Sequence, residues 1–181
     1  MLIYSMGVSL DGYVAGPHGE IDWSVPDAQL HRFHNDQARE LGAHLLGRRL
    51  YEVMSYWETA GEDASLDEVE LEFARIWQAL PKVVFSTTLD HVEGNARLAT
   101  EGVAAELAKL AADTDVGVGG AGLAATCFEL GLVDECRLFV SPVVLGGGTP
   151  FFPPLEQRLE LELVETRTFA SRVVFLRYRR V

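Results

Sequence analysis

Glycines and a helix start lie close together in residues 115–123, which read Asp-Val-Gly-Val-Gly-Gly-Ala-Gly-Leu. A short apolar run leads into the glycines, and a helical pattern follows until Gly131. Glycine lets a backbone approach a ligand closely, and the free N–H groups of a first helical turn carry a partial positive charge. The segment therefore predicts a strand, a tight turn and a helix start that could bind a phosphate.

The same segment also matches the spacing of the dinucleotide-binding fingerprint, through Gly117, Gly119 and Gly122. That fingerprint normally opens its domain and requires an acidic residue at the end of the following strand. Here Asp134 and Glu135 come before the next predicted strand, so the sequence does not favour a Rossmann domain. A structural alternative stays open, in which the glycines only let the helix pack closely on the sheet.

Two further segments follow predicted strands and carry phosphate-binding side chains. Gly47, Arg48 and Arg49 stand between a strand and a helix, and arginine is suited to bidentate contact with phosphate. Ser86 and Thr87 follow another strand, at the end where open α/β sheets bind ligands. The alternatives are that the arginines are solvated surface charge and that the hydroxyl groups only cap a turn.

Histidine and cysteine offer a second kind of chemistry, which the spacing does not support. His31 and His34 are three residues apart on a predicted helix, but no third metal ligand is suggested, so we expect no metal site. His34 lies on the apolar face of that helix and is interpreted as a core or pocket histidine. Cys127 and Cys136 have no partner at metal-ligand spacing and are expected to be buried, reduced and inert.

Composition narrows the possible partners. The chain has 181 residues, which predicts a single domain over residues 1–181, and its formal net charge is −12. Such a surface repels the nucleic-acid backbone and anionic lipid. No apolar run is long enough for a membrane span and Met1 leads directly into a strand, so we expect no nucleic acid, no membrane and a cytoplasmic location.

The elements that must position these groups alternate between strand and helix through the first two thirds of the chain. A capping box over 65–68, with Ser65 as the N-cap and Glu68 reaching back to it, predicts one of about five helices. This order predicts a mainly parallel sheet of about eight strands with helices on both faces and an antiparallel C-terminal edge. Besides the strand that begins the 115–123 segment, the predicted strands are 2–8, 43–46, 82–85, 97–99, 137–145, 159–164 and 172–178.

The ordered set of motifs resembles the dihydrofolate reductase fold. It is more closely similar to the family that includes the reductase domain of the bifunctional riboflavin-biosynthesis deaminase-reductases and its stand-alone relatives. The matching pieces span nearly the whole chain: Ser9-Leu10-Asp11-Gly12, Trp23, Gly47-Arg48 with Tyr51-Glu52, Ser86-Thr87, Gly119-Gly120, Asp134-Glu135 and residues 146–152.

This resemblance implies an NADPH-dependent reductase that transfers hydride to a pteridine-like or ribosylaminopyrimidine-like small molecule, as a 5-amino-6-(5-phosphoribosylamino)uracil reductase does. Gly47, Arg48 and Arg49 would contact the phosphates of the cofactor, and Ser86 and Thr87 would lie near its 2′-phosphate. The loop over 11–23 would cover the nicotinamide as a lid that excludes water. The residues that would hold the pyrophosphate are Gly119, Gly120, Ala121, Gly122 and Leu123.

Three positions differ from the patterns of these relatives. Val118 stands where an acidic residue usually precedes the paired glycines, Leu50 replaces a usual threonine, and Ala28 takes the place of a pterin-facing carboxylate, with Asp27 one position early. Two alternatives therefore stay open: a true dihydrofolate reductase, and a non-catalytic nucleotide-binding or ligand-binding domain of the same fold.

Hydride transfer also requires a proton donor and a shaped pocket. Asp11 and Asp27 are the first candidate donors, His34 is the third, and an ordered water is an equal alternative. Besides Asp11 and Asp27, the predicted catalytic residues include Trp23, which lies at the end of the lid. Asp11 could instead only cap the turn beside Gly12. The strand-only C-terminal third could present an edge for a homodimer.

Overall fold

One sheet of eight strands runs through the centre of the molecule. The computed structural model describes residues 1–62, 65–110 and 114–181. The strands are β1 (Leu2–Ser9), β2 (Tyr13–Ala15), β3 (Leu41–Gly47), β4 (Lys82–Phe85), β5 (Ala96–Leu98), β6 (Asp115–Gly119), β7 (Glu135–Ser141), β8 (Thr149–Pro150), β9 (Leu161–Thr168) and β10 (Val174–Arg180). The helices are α1 (Ala28–Arg39), α2 (Arg48–Met54), α3 (Glu68–Ala79), α4 (Val103–Leu110) and α5 (Ala121–Glu129).

The strand order of the sheet is β5-β4-β3-β6-β1-β7-β10-β9. Strands β5 to β7 in this order pair in parallel, and β10 runs antiparallel between β7 and β9. The predicted mainly parallel sheet with an antiparallel C-terminal edge is confirmed. A separate pairing of β2 with β8, which the sequence did not predict, joins the two loops beside the end of β1.

Helices cover both faces of the sheet because adjacent strand residues point to opposite sides. Leu45 belongs to the core that includes Phe128 of α5, and α4 contributes Val103 to the same core. Leu46 packs on the other side, in a cluster that contains Trp77 of α3. The strand pattern of β3 therefore separates α4 and α5 from α2 and α3.

The start of α3 differs from its prediction. Asp67, not Ser65, is the N-cap, and its carboxylate accepts hydrogen bonds of 2.9 Å from the N–H groups of Val69 and Glu70. The Glu70 side chain reaches back to the Asp67 N–H at 2.8 Å, whereas Glu68 is the first helical residue. The sequence holds the capping pattern twice, two residues apart, and aspartate is as good an N-cap as serine.

Three C-terminal strands also have shifted bounds. The predicted strand 137–145 ends at Ser141, since Pro142 follows it and has no N–H to continue the ladder. The predicted strands 159–164 and 172–178 correspond to β9 and β10, each of which begins two residues later than predicted. Strand β9 pairs with β10 alone among the described strands, and the homodimer that would use its open edge stays a prediction.

A buried carboxylate anchors the chain between β5 and α4. Glu106 is fully buried and accepts hydrogen bonds from Arg97 Nη2 at 2.5 Å and from the Thr100 N–H at 2.9 Å. These bonds, the one from Arg97 foremost, lower the pKa of Glu106 to about 2. The ionised carboxylate of Glu106 therefore fixes the start of α4.

Replacing Glu106 with glutamine is expected to lower the free energy of unfolding by about 1–3 kcal/mol at pH 7, because charge-assisted bonds are lost. The pKa is depressed on folding, so this stabilisation is present above the unfolded-state value near 4.3 and disappears as the pH falls towards 2. Urea unfolding at several pH values measures it. E101Q is the control, because the Glu101 carboxylate is 52% exposed and pairs only at the surface with Lys109. Equal losses in both variants would contradict the prediction.

No helix in the described part of the chain has both the length and the apolar character that a membrane span needs.

Candidate active site

The two glycine corners predicted to bind phosphate lie side by side. Strands β3 and β6 are neighbours in the sheet, and Leu46 lies opposite Gly119. A Cβ atom added to Gly120 would lie 3.6 Å from both Cα and N of Gly47. Gly120 has a φ of 93°, which L side chains rarely adopt, so glycine is required where the chain turns into α5. The contact between corners is therefore built from backbone.

Helix α5 begins directly at this junction. Gly120 is its N-cap, no side chain caps the helix, and the first helical bond runs from the Ala124 N–H to Gly120 O at 2.9 Å. The N–H groups of the first turn thus have no intrahelical acceptor and carry the positive end of the helix dipole. A Cβ atom added to Gly122 would meet no atom within 4 Å, so open space adjoins this turn. The corner can accept an anionic group.

The sheet order also brings the other predicted phosphate-contacting segments to this edge. Strand β4 pairs in parallel with β3, with Phe85 opposite Gly47, so Ser86 follows β4 beside the start of α2. Arg48, partly exposed, pairs with Glu52 at 2.9 Å, and Arg49 is exposed. We name the surface formed by residues 47–49, 86–87 and 119–123 the strand-end groove. It unites all ten predicted cofactor-binding residues at one edge of three adjacent strands.

Within this groove, Ser86 already has a structural role. Its Oγ atom accepts hydrogen bonds from the N–H groups of Thr88 at 3.1 Å and Leu89 at 3.0 Å. This is the turn-capping alternative for the serine, while Thr87 is exposed. The cofactor-binding roles of both residues stay predictions.

A cavity of about 510 Å³ lies beside the groove, between the sheet and helices α1 to α3. Four aromatic side chains belong to its walls: Trp57, Phe73, Trp77 and Phe139. Leu46 and Leu50, which flank the Gly47 corner in sequence, line it as well. The sequence did not predict this cavity, although the apolar face of α1 with a histidine on it was a signal, since His34 is one of the lining residues.

Three imidazole rings line the cavity in their neutral form at pH 7. Burial lowers the pKa of His34 to about 4 and that of His44 to about 4, and it also lowers the pKa of His31. The His34 ring packs on Phe139 with ring centres 4.1 Å apart. His44 Nδ1 lies 3.1 Å from Leu45 O, which assigns the proton to Nδ1 and leaves Nε2 as an acceptor.

Residues 1–175 match the family model for the RibD C-terminal domain. The chain belongs to the RibD C-terminal domain family. It is 34% identical over 180 residues to the uncharacterized protein YyaP of Bacillus subtilis (strain 168), covering 98% of this chain and 93% of YyaP.

Solved structures confirm the predicted dihydrofolate reductase-like fold. A protein of Shewanella sp. PV-4 assigned to riboflavin biosynthesis is 24% identical, with a TM-score of 0.77 over 99% of this chain and 98% of that one. Dihydrofolate reductase from Enterococcus faecalis, complexed with NADP(H) and RAB-propyl, is 16% identical, with a TM-score of 0.65 over 99% and 96% of the two chains.

The predicted catalytic residues do not converge on the cavity. Asp11 accepts hydrogen bonds from Ser9 Oγ at 2.7 Å and from the N–H groups of Leu145 and Gly146 at 3.1 and 2.7 Å. These bonds, chiefly that from Ser9, lower the pKa of Asp11, so the carboxylate is an acceptor that ties two loops together. This geometry favours a loop-capping role over proton donation.

The other two catalytic candidates also have local partners. Asp27 is the N-cap of α1 and accepts a 2.8 Å hydrogen bond from the Leu30 N–H. Trp23 donates from Nε1 to Glu20 O at 3.2 Å. Neither is among the described residues that line the cavity, whereas His34, the third candidate donor, is. The catalytic roles of all four residues stay predictions.

The structure shows where the three positions lie at which this chain departs from the patterns of its relatives. Val118 is buried in the core and Ala28 is exposed at the start of α1. Leu50 packs over the glycine corner, because a Cβ atom added to Gly119 would lie 2.4 Å from its Cδ2 atom. The leucine thus forms an apolar wall between the strand-end groove and the cavity.

The cysteines are buried, as predicted. Burial raises the pKa of Cys127 to about 11 and that of Cys136 to about 12, so neither is a thiolate at pH 7. Among the residues that the structure describes, no group of three or more His, Cys, Asp or Glu side chains could hold a metal ion.

Proposed function

We propose that this chain is an NADPH-dependent reductase that acts on a pteridine-like or ribosylaminopyrimidine-like small molecule. The observation that supports it best is the backbone contact between the Gly47 and Gly120 corners. Two strand ends that each lead into a helix meet there, so both could contact one diphosphate-bearing molecule. Membership of the RibD C-terminal domain family and the fold shared with an NADP(H)-bound dihydrofolate reductase support the same proposal.

The residues of the strand-end groove fit a bound NADPH. The free N–H groups at the start of α5 would hold the pyrophosphate, and the guanidinium groups of Arg48 and Arg49 would supply positive charge for the phosphates. Bound there, NADPH would supply the hydride. The chain itself supplies binding, orientation and a shielded site.

The position of the cavity supports a substrate site beside that groove. Leu46 lines the cavity and directly precedes the Gly47 corner, and Leu50 lines it while packing over Gly119. A ring held in the cavity would therefore lie one side-chain layer from the groove. Apolar walls exclude water from such a site and shield the hydride.

The geometry does not favour the first of the two alternatives, a true dihydrofolate reductase. A true dihydrofolate reductase needs a carboxylate from α1 facing the pteridine, but the Asp27 carboxylate caps that helix and Ala28 is exposed. A non-catalytic ligand-binding domain would use the same cavity, so turnover of a substrate is what distinguishes it from a reductase. Oxidation of NADPH by the protein, followed at 340 nm with candidate pteridines and pyrimidines, tests catalysis. Calorimetric titration with NADPH tests the cofactor, and absence of binding would refute the proposal.

Replacing Arg48 with alanine is expected to raise the dissociation constant for NADPH about tenfold, because a charge-assisted contact to phosphate is lost. The dissociation constant for NADH should rise less, because NADH lacks the 2′-phosphate. Calorimetry with both coenzymes measures the difference. R158A removes the same charge at an 87% exposed side chain outside the groove and is the matched control. Equal effects of R48A on both coenzymes would exclude Arg48 from the 2′-phosphate site.

A further inference from the structure

One charged group that lines the cavity is the guanidinium of Arg137, which binds other side chains of the protein. Arg137 is 2% exposed, and its Nε atom lies 2.7 Å from Glu135 Oε1. Its Nη1 atom donates to Gln37 and lies 3.3 Å from Glu40 Oε2. This guanidinium therefore faces the cavity with its Nε and Nη1 atoms already bound to other side chains of the protein. It is not a free cation that could bind a phosphate.

The other charged lining residue is a carboxylate. Glu70 lines the cavity while its Oε2 atom accepts a hydrogen bond from the Asp67 N–H. Glu70 and Asp67 both act electrostatically on His31, so two carboxylates lie near that part of the wall. His31, His34 and His44 supply no positive charge at pH 7, because burial lowers the pKa of each. An anionic ligand would thus lose its hydration and meet only one guanidinium, that of Arg137, whose Nε and Nη1 atoms are already bound.

The remaining wall suits a flat ring. Trp57 and Phe73 pack edge to face with ring centres 4.8 Å apart, and Phe73 stacks with Trp77 at 6.2 Å. The indole N–H of Trp77 is buried and has no acceptor among the described residues. A carbonyl oxygen or ring nitrogen of a ligand could satisfy such a donor, and the rings of Trp57 and Phe73 line the cavity as apolar surface against which the ligand ring could pack.

We propose that the cavity selects an uncharged, flat heteroaromatic ring and excludes substrates that carry a phosphate or carboxylate. This inference rests on the proposed function and narrows it: the substrate is an unphosphorylated pteridine-like ring, not a phosphoribosylated pyrimidine. The reduction would add hydride to the carbon of a ring C=N bond and a proton from water to its nitrogen, while NADPH is oxidised to NADP⁺. The neutral imidazoles and the Trp77 indole act as hydrogen-bonding groups that orient the ring.

Two probes that differ mainly in charge test the selection. 6-Methylpterin is uncharged at pH 7, and pterin-6-carboxylate carries an anionic substituent at the same ring position. Calorimetric titration of the full chain without coenzyme should give a dissociation constant at least tenfold lower for 6-methylpterin. Equal or tighter binding of the carboxylate, or binding of neither probe, would overturn the proposal. 5-Amino-6-(5-phosphoribosylamino)uracil, titrated in the same way, should bind no better than the carboxylate.

A second experiment places a positive charge in the wall of the cavity. Met54 lines the cavity, so M54K should reduce the preference for 6-methylpterin at least tenfold. V53K, at the neighbouring residue, whose side chain is 56% exposed and outside the lining, should keep the wild-type preference. An unchanged preference in folded M54K would contradict the proposal, and the wild-type comparison decides it if M54K does not fold. NADPH titration of the same preparations reports separately on the proposed cofactor, so the two proposals can fail independently.

Discussion

Replacing Gly120 with alanine is expected to weaken the binding of NADPH about ten- to hundredfold. The φ of 93° at this residue is strained for any L side chain, at a cost of about 1–3 kcal/mol, so the backbone would turn to relieve it. The N–H groups that follow Gly120 would then move away from the ligand. The added Cβ would also lie 3.6 Å from the Gly47 backbone, inside the junction that both corners share. Calorimetry with NADPH measures the change.

Gly131 provides a control for the strain itself. It has a φ of 65° and lies just beyond the C-terminal end of the same helix, where an added Cβ would meet only the tip of the Arg180 side chain at 3.3 Å. G131A should therefore destabilise the protein to a similar degree and leave the NADPH dissociation constant unchanged. If both variants lose affinity equally, the effect is one of stability and the strand-end groove does not bind the coenzyme.

The sequence could predict the groove because its parts are local. Each corner consists of a strand, a glycine and a helix start. The patterns around residues 44–47 and 116–119 predict these elements without reference to any distant contact. Their meeting in space followed from parallel strand pairing, which aligns the carboxyl ends of β3 and β6. The N-cap of α3 was predicted at the wrong residue. The capping pattern occurs at both Ser65 and Asp67, and the sequence alone does not decide between them.

The cavity and the charged cluster could not be predicted in the same way, because both depend on contacts between distant segments. The walls of the cavity come from α1, α2, α3 and four strands, and nothing in any one segment indicates an empty volume. The partners of Glu135 are fixed by the register of β7 against β10, in which Arg177 lies opposite Arg137 and Arg179 opposite Glu135. The apolar pattern of a helix or strand does not predict the register of one strand against another.

That register creates a buried charge cluster on one face of the sheet. Glu135 is fully buried, and its carboxylate lies 2.7 Å from Arg137 Nε, 2.9 Å from Arg177 Nε and 3.1 Å from Arg179 Nη2. Burial by itself raises the pKa of Glu135, but the hydrogen bond from Arg137 and the positive charges of Arg137 and Arg177 outweigh it, and the pKa is lowered. The carboxylate is thus ionised in the folded protein, and its single negative charge is shared among three guanidinium groups.

Replacing Glu135 with glutamine is expected to lower the free energy of unfolding by about 3–5 kcal/mol at pH 7, because the 2% exposed guanidinium of Arg137 loses its buried counter-charge. Glu40, the other carboxylate near Arg137, is 52% exposed, so E40Q should cost only about 0–1 kcal/mol. Since the pKa of Glu135 is lowered on folding, the stabilisation is present above the unfolded-state value near 4.3 and is lost as the pH falls below it. Denaturant unfolding at pH 7 and at pH 3 should therefore show a large difference between wild type and E135Q that narrows in acid.

A difference that is small at pH 7, or that widens in acid, would mean that Arg137 is solvated. The cavity beside it would then hold a usable positive charge, and its predicted preference for uncharged rings would lose its electrostatic basis.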